Sequence, residues 1–493
     1  MVSKETRAQY TATIGIECHV QLKTATKLFA AVGNDARDAV PNTLISHICF
    51  GLPGALPVLN KEALHLGMRA AFALGTDPQK YSAFDRKHYF YPDLPLGYQI
   101  TQFTHPIVRN GSVTIDVDGE AKVIGIHEAH IEADAGKSTH PDGADYSLVD
   151  LNRAGTPLIE IVSEPDMHLP AEAKAYAREL YLRMRYADVS DCNLFYGNMR
   201  FDVNVSVSKT DELGTRTETK NLNSFRSVEK AAEYEINRQI EQLEAGDKII
   251  QETRGWNDAK QATFSQRSKE DAHDYRYFPD PDLPPIELDD AHIETVRAEM
   301  PVMPDEWRKR LSTLGLDKSA MESLLDAELD DPEVSYLALV EEVIEEKDFA
   351  KALSNWFVNL EVPARRDEKT KLNTKITNQG RLAAYRKAYE LVKSNKLSSS
   401  NAKTLLTKIL TASEVIADVE AFAKQHNLIQ ESDEGAIAEV VAKVLADNAK
   451  AAEDVKNGEM KAIGFLVGQV MKLSQGRANP SLAQDLIKKQ LGL

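Results

Sequence analysis

The stretch Asp150-Leu-Asn-Arg-Ala-Gly-Thr-Pro-Leu-Ile-Glu-Ile-Val-Ser-Glu-Pro-Asp166 sets acids and an arginine around a short apolar run, Leu158–Val162, with Glu160 inside it. In an extended strand Glu160 projects opposite to Ile159 and Ile161. A carboxylate there needs a partner, because an unpaired buried charge is very costly. A metal ion, an arginine or a lysine would serve. Matching groups occur elsewhere. Glu17 and His19 are two apart in a strand-like segment and so share a face. His127, Glu128, His130, Glu132 and Asp134 form a second cluster, followed by Gly136-Lys137. Asp202 and Asn204 share the polar face of another strand, just after Arg200. Carboxylates with a little imidazole and amide suit Mg²⁺, which takes oxygen ligands and substrate phosphates. A thiolate-poor set is a poor structural zinc site. Taken singly, such a cluster is more often structural than catalytic, and Glu17 with His19 also fits a plain solvent face.

Other chemistries find less support. Lys137 is not preceded by G-x-x-x-x-G, so the usual phosphate loop is missing. There is no G-x-G-x-x-G, G-x-S-x-G or H-E-x-x-H, and Ser163 carries no local triad signature. Two stretches mix rings with cations: Asp85-Arg-Lys-His-Tyr-Phe-Tyr-Pro-Asp93 and Asp274-Tyr-Arg-Tyr-Phe-Pro-Asp280. Rings stack on bases, and arginine holds phosphates or carboxylates. A packed tyrosine layer is the alternative.

The elements that must position these groups can be read from periodicity. Tyr10–Leu22, Tyr98–Phe103 and Arg200–Ser208 read as strands, the last alternating Phe201, Val203, Val205, Val207 against Asp202, Asn204, Ser206. Gly111–Gly125 reads as a hairpin turning at Asp118-Gly119. Lys61–Leu74, Ala171–Tyr186 after Pro170, and Phe225–Leu243 read as helices. This is an α/β or α+β domain with many antiparallel pairs. Asp280-Pro-Asp-Leu-Pro-Pro285 ends the pattern, and the remainder of the chain reads helical. Ile437, Val440, Val441, Val444 and Leu445 form one apolar stripe, and Met460, Ile463, Val467, Val470 and Met471 another. Gly464 and Gly468 in the latter suit a close helix contact. Ser398–Ser400 is an N-cap or hinge, which divides the helical half near residue 397.

The 493 residues allow two to four domains, and the net charge of -17 argues against wholesale coating of nucleic acid. Residues 364–408 nevertheless hold twelve Lys/Arg against three acids. That segment is either a polyanion footprint, with Lys393, Lys396 and Lys403 as its candidate contacts, or a solvated helix face. Three scattered cysteines make no disulfide framework and fit a reducing cytosol. The polar N-terminus lacks a signal-peptide core, and no run approaches a membrane span, so a cytoplasmic location away from membranes is expected.

Taken in order, several motifs are familiar together: Ile14–Leu22, Phe84–Asp93, His130–Lys137, Asp150–Asp166, Lys220-Asn-Leu-Asn-Ser224, Asp274–Pro279, Gly464–Gly468 and Gly476–Pro480. They resemble the B subunit of the aspartyl/glutamyl-tRNA(Asn/Gln) amidotransferase, from about Tyr10 to the C-terminus. The resemblance implies a glutamine-hydrolysing ligase that uses ATP and Mg²⁺. The side-chain carboxylate of Glu-tRNA(Gln) or Asp-tRNA(Asn) is phosphorylated, then amidated by ammonia from a partner A subunit. A small C subunit completes a heterotrimer. It also implies an α+β fold: a cradle-like catalytic domain of mixed and antiparallel sheet (1–290), then two all-α domains, 291–397 and a tRNA-contacting tail, 398–493. By similarity Glu17, His19, Glu132 and Glu160 hold the metals. Lys137, Arg153 and Arg200 are expected, from charge and neighbourhood, to handle anions, with Lys137 and Arg200 on the ATP. A tRNA-binding scaffold without its own active site is the competing reading. Two departures bear on this. Ala133 stands where many relatives carry a second acid, leaving Asp134, water or a weaker metal position. Ser46-His-Ile-Cys49 replaces a C-x-x-C pair, so zinc is not expected.

Overall fold

The computed structural model of the chain describes residues 2–268, 274–331, 333–430, 434–459, 461–474 and 478–493. Met460 of the second apolar stripe and Gly476 of the C-terminal motif lie outside the described residues. The chain divides into two compact units between Pro304 and Asp305. Helix Asp290–Ala298, placed by the sequence at the start of the helical half, belongs to the first unit. Its Ile293 and Val296 are buried in that unit's core, where it meets helix Lys61–Ala73.

The first unit is α+β. Its strands are β1 (Thr11–Gln21), β2 (Tyr81–His88), β3 (Tyr98–His105), β4 (Val108–Val117), β5 (Glu120–Ala133), β6 (Lys137–Thr139), β7 (Leu148–Asp150), β8 (Pro157–Ser163), β9 (Met199–Ser208), β10 (Thr217–Leu222), β11 (Glu252–Asn257), β12 (Ala262–Ser268), β13 (Phe278–Pro279) and β14 (Ile286–Glu287). One large sheet runs β12-β11-β10-β9-β1-β8-β5-β3-β2-β13, with β4 on β5 and β14 on β2; β6 and β7 pair separately. All its pairings are antiparallel except β10 with β11. The hairpin predicted to end at Gly125 continues in β5 as far as Ala133, which carries the His127–Glu132 cluster onto a strand.

Antiparallel strands commonly bury one face and leave the other accessible. Here the division follows residue parity. On β1, Ile14, Ile16, Cys18 and Val20 are at most 1 % exposed, while the alternate residues are half-buried. Ile159 and Ile161 of β8 and Phe201, Val203 and Val205 of β9 extend the same apolar layer. Helices Pro170–Tyr186 and Phe225–Glu244 pack on it. Pro170 opens the first, where a missing N–H costs nothing. The Ser224 hydroxyl caps the second by accepting from the Ser227 N–H at 3.0 Å.

The described residues of the second unit contain helices and no strands. The Ser398 hydroxyl accepts from the Asn401 N–H at 3.1 Å and caps helix Ser399–Leu410. Ile437, Val441, Val444, Ile463, Leu466 and Val470 form an apolar cluster with Ala483, Leu486 and Ile487. Gly464 and Gly468 make no close helix contact among the described residues. They lie off the buried Ile463-Leu466-Val470 stripe, with nothing within 4 Å of where a Cβ would stand. No described helix is long and apolar enough to cross a membrane.

One buried charge holds helix Phe225–Glu244 to the sheet edge. Glu235 is fully buried, 2.7 Å from Arg238 and 3.0 Å from Arg254, and accepts from the hydroxyls of Thr217 and Thr263. Burial alone would raise its pKa; Arg238 and the hydroxyls outweigh that and lower it. Glu235→Ala strands two arginines and should cost about 3–5 kcal/mol in urea denaturation. Because the native pKa is depressed, this stabilisation is fully present above the carboxylate's ordinary value of 4.5 and fades as pH falls below it. The variant should therefore lose less stability than wild type on acidification.

Candidate active site

The accessible face of the sheet carries the polar residues, and strand register decides which of them meet. Across β9, β1, β8 and β5 the residues Arg200, His19, Glu160 and His130 stand opposite one another in one row. The neighbouring row is Asp202, Glu17, Val162 and Glu128. On the other side Glu132 lies opposite Leu158 and Thr101. Each imidazole therefore falls beside a carboxylate by backbone pairing.

The distances match the rows. His19 Nε2 is 3.4 Å from Glu160 and 3.8 Å from Glu132. His130 Nε2 is 3.2 Å from Glu160 and 3.7 Å from Glu132. Burial opposes charge on both rings, but the two carboxylates outweigh it, raising His19 to about 9 and His130 to about 10. Burial would likewise lift Glu160; His130 and His19 reverse this and hold it well below the usual carboxylate range. Lys87, its ammonium 4.9 Å from the Tyr275 ring centre, lies in the same field. Burial opposes its charge, and Tyr277, Glu132 and Glu160 outweigh it.

Of the four residues expected to share metals, three come together. One ligand atom each of His19, Glu132 and Glu160 lies within 4.8 Å of the others. Glu17 belongs instead to a second group, with Asp202 and Glu218. Lys220 bridges that group, 2.9 Å from Asp202 and 2.8 Å from Glu218, and Asn204 donates to Glu17 at 3.0 Å. Glu17 is raised by burial first and then by Glu160 and Glu218. The contrast is chemical. An imidazolium gives up its proton and becomes a metal ligand, whereas a lysine ammonium at this site stays charged. The His19–Glu132–Glu160 group can thus take a divalent cation. Buried His130 Nδ1 makes no hydrogen bond among the described residues and lies 3.9 Å from the Glu128 carboxylate.

The expected anion-handling residues are partly committed already. Arg153 and Arg200 both reach Asp134 Oδ2 at 3.3 Å. Arg153 also donates to the carbonyls of Ala135, at 3.0 Å, and Gly136, at 2.7 Å. Asp134 is therefore engaged by guanidiniums, and Ala133 lies in a pocket lining with Lys27, Cys49 and Gln99. Gly136 must be glycine, since a Cβ would stand 2.9 Å from the Asp150 carbonyl. The exposed Lys137 comes next on β6, opposite Asp150 of β7. Ser163 has a structural task, its hydroxyl accepting from the Ile16 N–H at 2.9 Å. The two aromatic-basic stretches pair with each other. Phe278 stands opposite Arg86, Tyr277 stacks on Phe103 at 3.9 Å, and Arg86 binds Asp280 and Asp282 at 2.8 Å each.

The basic segment of the second unit is largely laced to acids. Glu361, fully buried, takes Arg381 at 2.7 Å and Arg365 at 3.3 Å; Arg386 binds Glu346, and Lys375 binds Glu414. Lys396 shares Glu420 with Lys387. Lys393 lies 5.9 Å from its own helix's Tyr389 ring centre, and Lys403 is exposed on helix Ser399–Leu410.

Sequence reading placed His130 in a candidate cluster but left it out of the expected metal set, and gave Glu218 and Lys220 no site role. The usable signal for His130 was parity, since it shares a strand face with Glu128 and Glu132. Glu218 and Lys220 gave none, because their place is set by β10 pairing with β9.

Carboxylates, imidazoles and guanidiniums thus gather on one sheet face, a set of groups able to hold a cation and to meet anions. Comparison with known proteins gives the family. Residues 12–294 match the GatB/GatE catalytic domain and residues 338–491 the GatB domain. The chain is 43% identical over 503 residues to the aspartyl/glutamyl-tRNA(Asn/Gln) amidotransferase B subunit of Carboxydothermus hydrogenoformans, covering 98% of this chain and 99% of that one. The corresponding B subunits of Thermoanaerobacter pseudethanolicus and Bdellovibrio bacteriovorus are each 44% identical, with the same coverage. The chain belongs to the GatB family, the B subunits of tRNA-dependent amidotransferases.

Proposed function

We propose that this chain is the carboxylate-activating component of an aspartyl/glutamyl-tRNA amidotransferase, and that His19, Glu132 and Glu160 hold the Mg²⁺ its ATP chemistry needs. The observation that carries the reading is that group's geometry: two carboxylates and an imidazole on the polar sheet face, paired directly with imidazoles, which can give up a proton to a metal. The side-chain carboxylate of Glu-tRNA(Gln) or Asp-tRNA(Asn) resists ammonia, being anionic with a poor leaving oxygen. Transfer of the γ-phosphoryl group of ATP to one carboxylate oxygen breaks the terminal P–O bond and releases ADP. Ammonia then forms the C–N bond, and phosphate leaves with the C–O electron pair and one ammonia proton.

Phosphoryl transfer of this kind depends on positioning and charge neutralisation, so no protein nucleophile is needed. Mg²⁺, when bound, supplies positive charge against the phosphate oxygens. His130, against both carboxylates, keeps them oriented. Arg153 and Arg200, fixed on Asp134, set two positive charges beside the group, and Lys137 offers an ammonium at the adjoining cleft. A glutamine-hydrolysing A subunit provides the ammonia, and a small C subunit completes the complex. Lys393 and Lys403 of the second unit add phosphate contacts to the tRNA.

The test is single-turnover chemistry. The assembled complex, given Glu-tRNA(Gln) and labelled ATP without an ammonia donor, should form ADP and an acyl phosphate. A complex that binds the tRNA and forms neither acts as a scaffold. Glu160→Gln should reduce ADP formation at least about 100-fold, several kcal/mol of lost charge stabilisation, with tRNA affinity retained. Equal loss of tRNA binding would instead assign Glu160 a folding role. Replacing Lys393 and Lys403 with glutamine should weaken tRNA binding and flatten its salt slope by roughly two units, whereas Lys396→Gln, already paired with Glu420, should change it less. An unchanged slope in the double variant removes this face from the tRNA path.

A further inference from the structure

Beside the metal-binding face lies a cleft of about 740 Å³ with an unusual lip. Phe195 is 87% exposed and Tyr196 55%. Their ring centres are 5.2 Å apart, edge to face, and the Arg37 guanidinium stands 5.7 Å from the Tyr196 centre. These rings are held out by a built turn. The Asn193 side chain accepts from the Tyr196 N–H at 3.1 Å, and the Asn193 backbone carbonyl accepts from the Asn198 N–H at 2.9 Å. Gly197, at φ +71°, closes the turn in a conformation that favours glycine. Half-buried Leu194 anchors it to the core. Leaving a phenylalanine in water is unfavourable at roughly 25 cal/mol per Å² of apolar surface, and no described residue of this unit covers it.

The cleft leads to the chemistry. Its lining includes Gln21, two residues beyond His19 on the same face of β1 and therefore about 7 Å along the strand. It also includes Arg153, which shares Asp134 with Arg200, the register partner of His19. Lys23, Arg37 and Lys137 bring further cations; Lys23 and Arg37 are paired with aspartates, and Lys137 has no ion pair among the described residues. Exposed rings interleaved with cations are the surface that binds single-stranded nucleic acid, the rings stacking on bases and the cations meeting phosphates.

We infer that Phe195 and Tyr196 form a stacking platform for the unpaired 3′ end of the tRNA, placing its terminal ester-bearing nucleotide beside the His19–Glu132–Glu160 group. The inference rests on the tRNA part of the function proposed above. A polar, cation-bearing lining favours a nucleic acid over an apolar protein surface as the occupant.

The experiment measures equilibrium binding of the assembled complex to intact tRNA and to the same tRNA lacking its unpaired 3′ nucleotides, at one salt concentration. Wild type should lose about tenfold in affinity on truncation. The double variant Phe195→Ala, Tyr196→Ala should bind intact tRNA about tenfold more weakly and no longer distinguish the two. Phe195→Trp with Tyr196→Phe, which keeps both rings, should restore the difference. Equal weakening toward both tRNAs, unchanged affinity for intact tRNA, or separation of the variant complex into its subunits on gel filtration would each overturn the platform; the last would make the rings a protein interface. Binding is read without ATP. A complex that behaves as expected here yet forms no acyl phosphate contradicts the proposed chemistry and leaves this platform standing.

Discussion

The antiparallel pairing of β8 with β1 on one side and β5 on the other is what the rest of the first unit depends on. It sets Glu160 between His19 and His130. A carboxylate this enclosed needs compensation, and the register supplies it with two imidazoles from strands more than a hundred residues apart. A slip of one residue in either pairing would turn the row toward the helices and bring Ile159 or Ile161 to the polar face. The apolar layer beneath, from Ile14 to Val20 and through Phe201 to Val205, makes such a slip expensive. The packing of the core and the assembly of the site are therefore one specification.

Charge on the accessible face is sorted into three kinds of pairing. Asp134 is held by guanidiniums, the Glu17 group by Lys220, and Glu132 with Glu160 by imidazoles. Guanidinium and ammonium are permanent cations near neutrality, so the first two pairings are finished structures. Imidazole alone can lose its proton and remain as a ligand. The same face thus fixes some charges as scaffold and leaves one cluster open to exchange a proton for a metal.

Much of this was legible in the sequence, and the remainder was hidden for physical reasons. Strand alternation is local, so the shared face of Glu17 and His19, the outward turn of Glu160 and the polar side of Asp202 and Asn204 could all be read directly. Register is not local. No periodicity reveals that His19 faces Glu160 while Glu17 faces Asp202, and the expected four-residue metal set resolves into two groups for that reason. The run of β5 beyond Gly125 was not marked, because from His127 to Ala133 acids and imidazoles outnumber the apolar residues and obscure the alternation. Net charge misled in the second unit, where the acids that pair the basic segment, such as Glu346, Glu414 and Glu420, lie outside it in sequence.

The most direct test of the central claim is to locate the metal itself. Crystals of the complex grown with Mn²⁺ in place of Mg²⁺ should show an anomalous scattering peak bound by His19 Nε2 and the carboxylates of Glu132 and Glu160. A peak at Glu17, Asp202 and Glu218 instead, or no peak with both imidazoles still against Glu160, would contradict it.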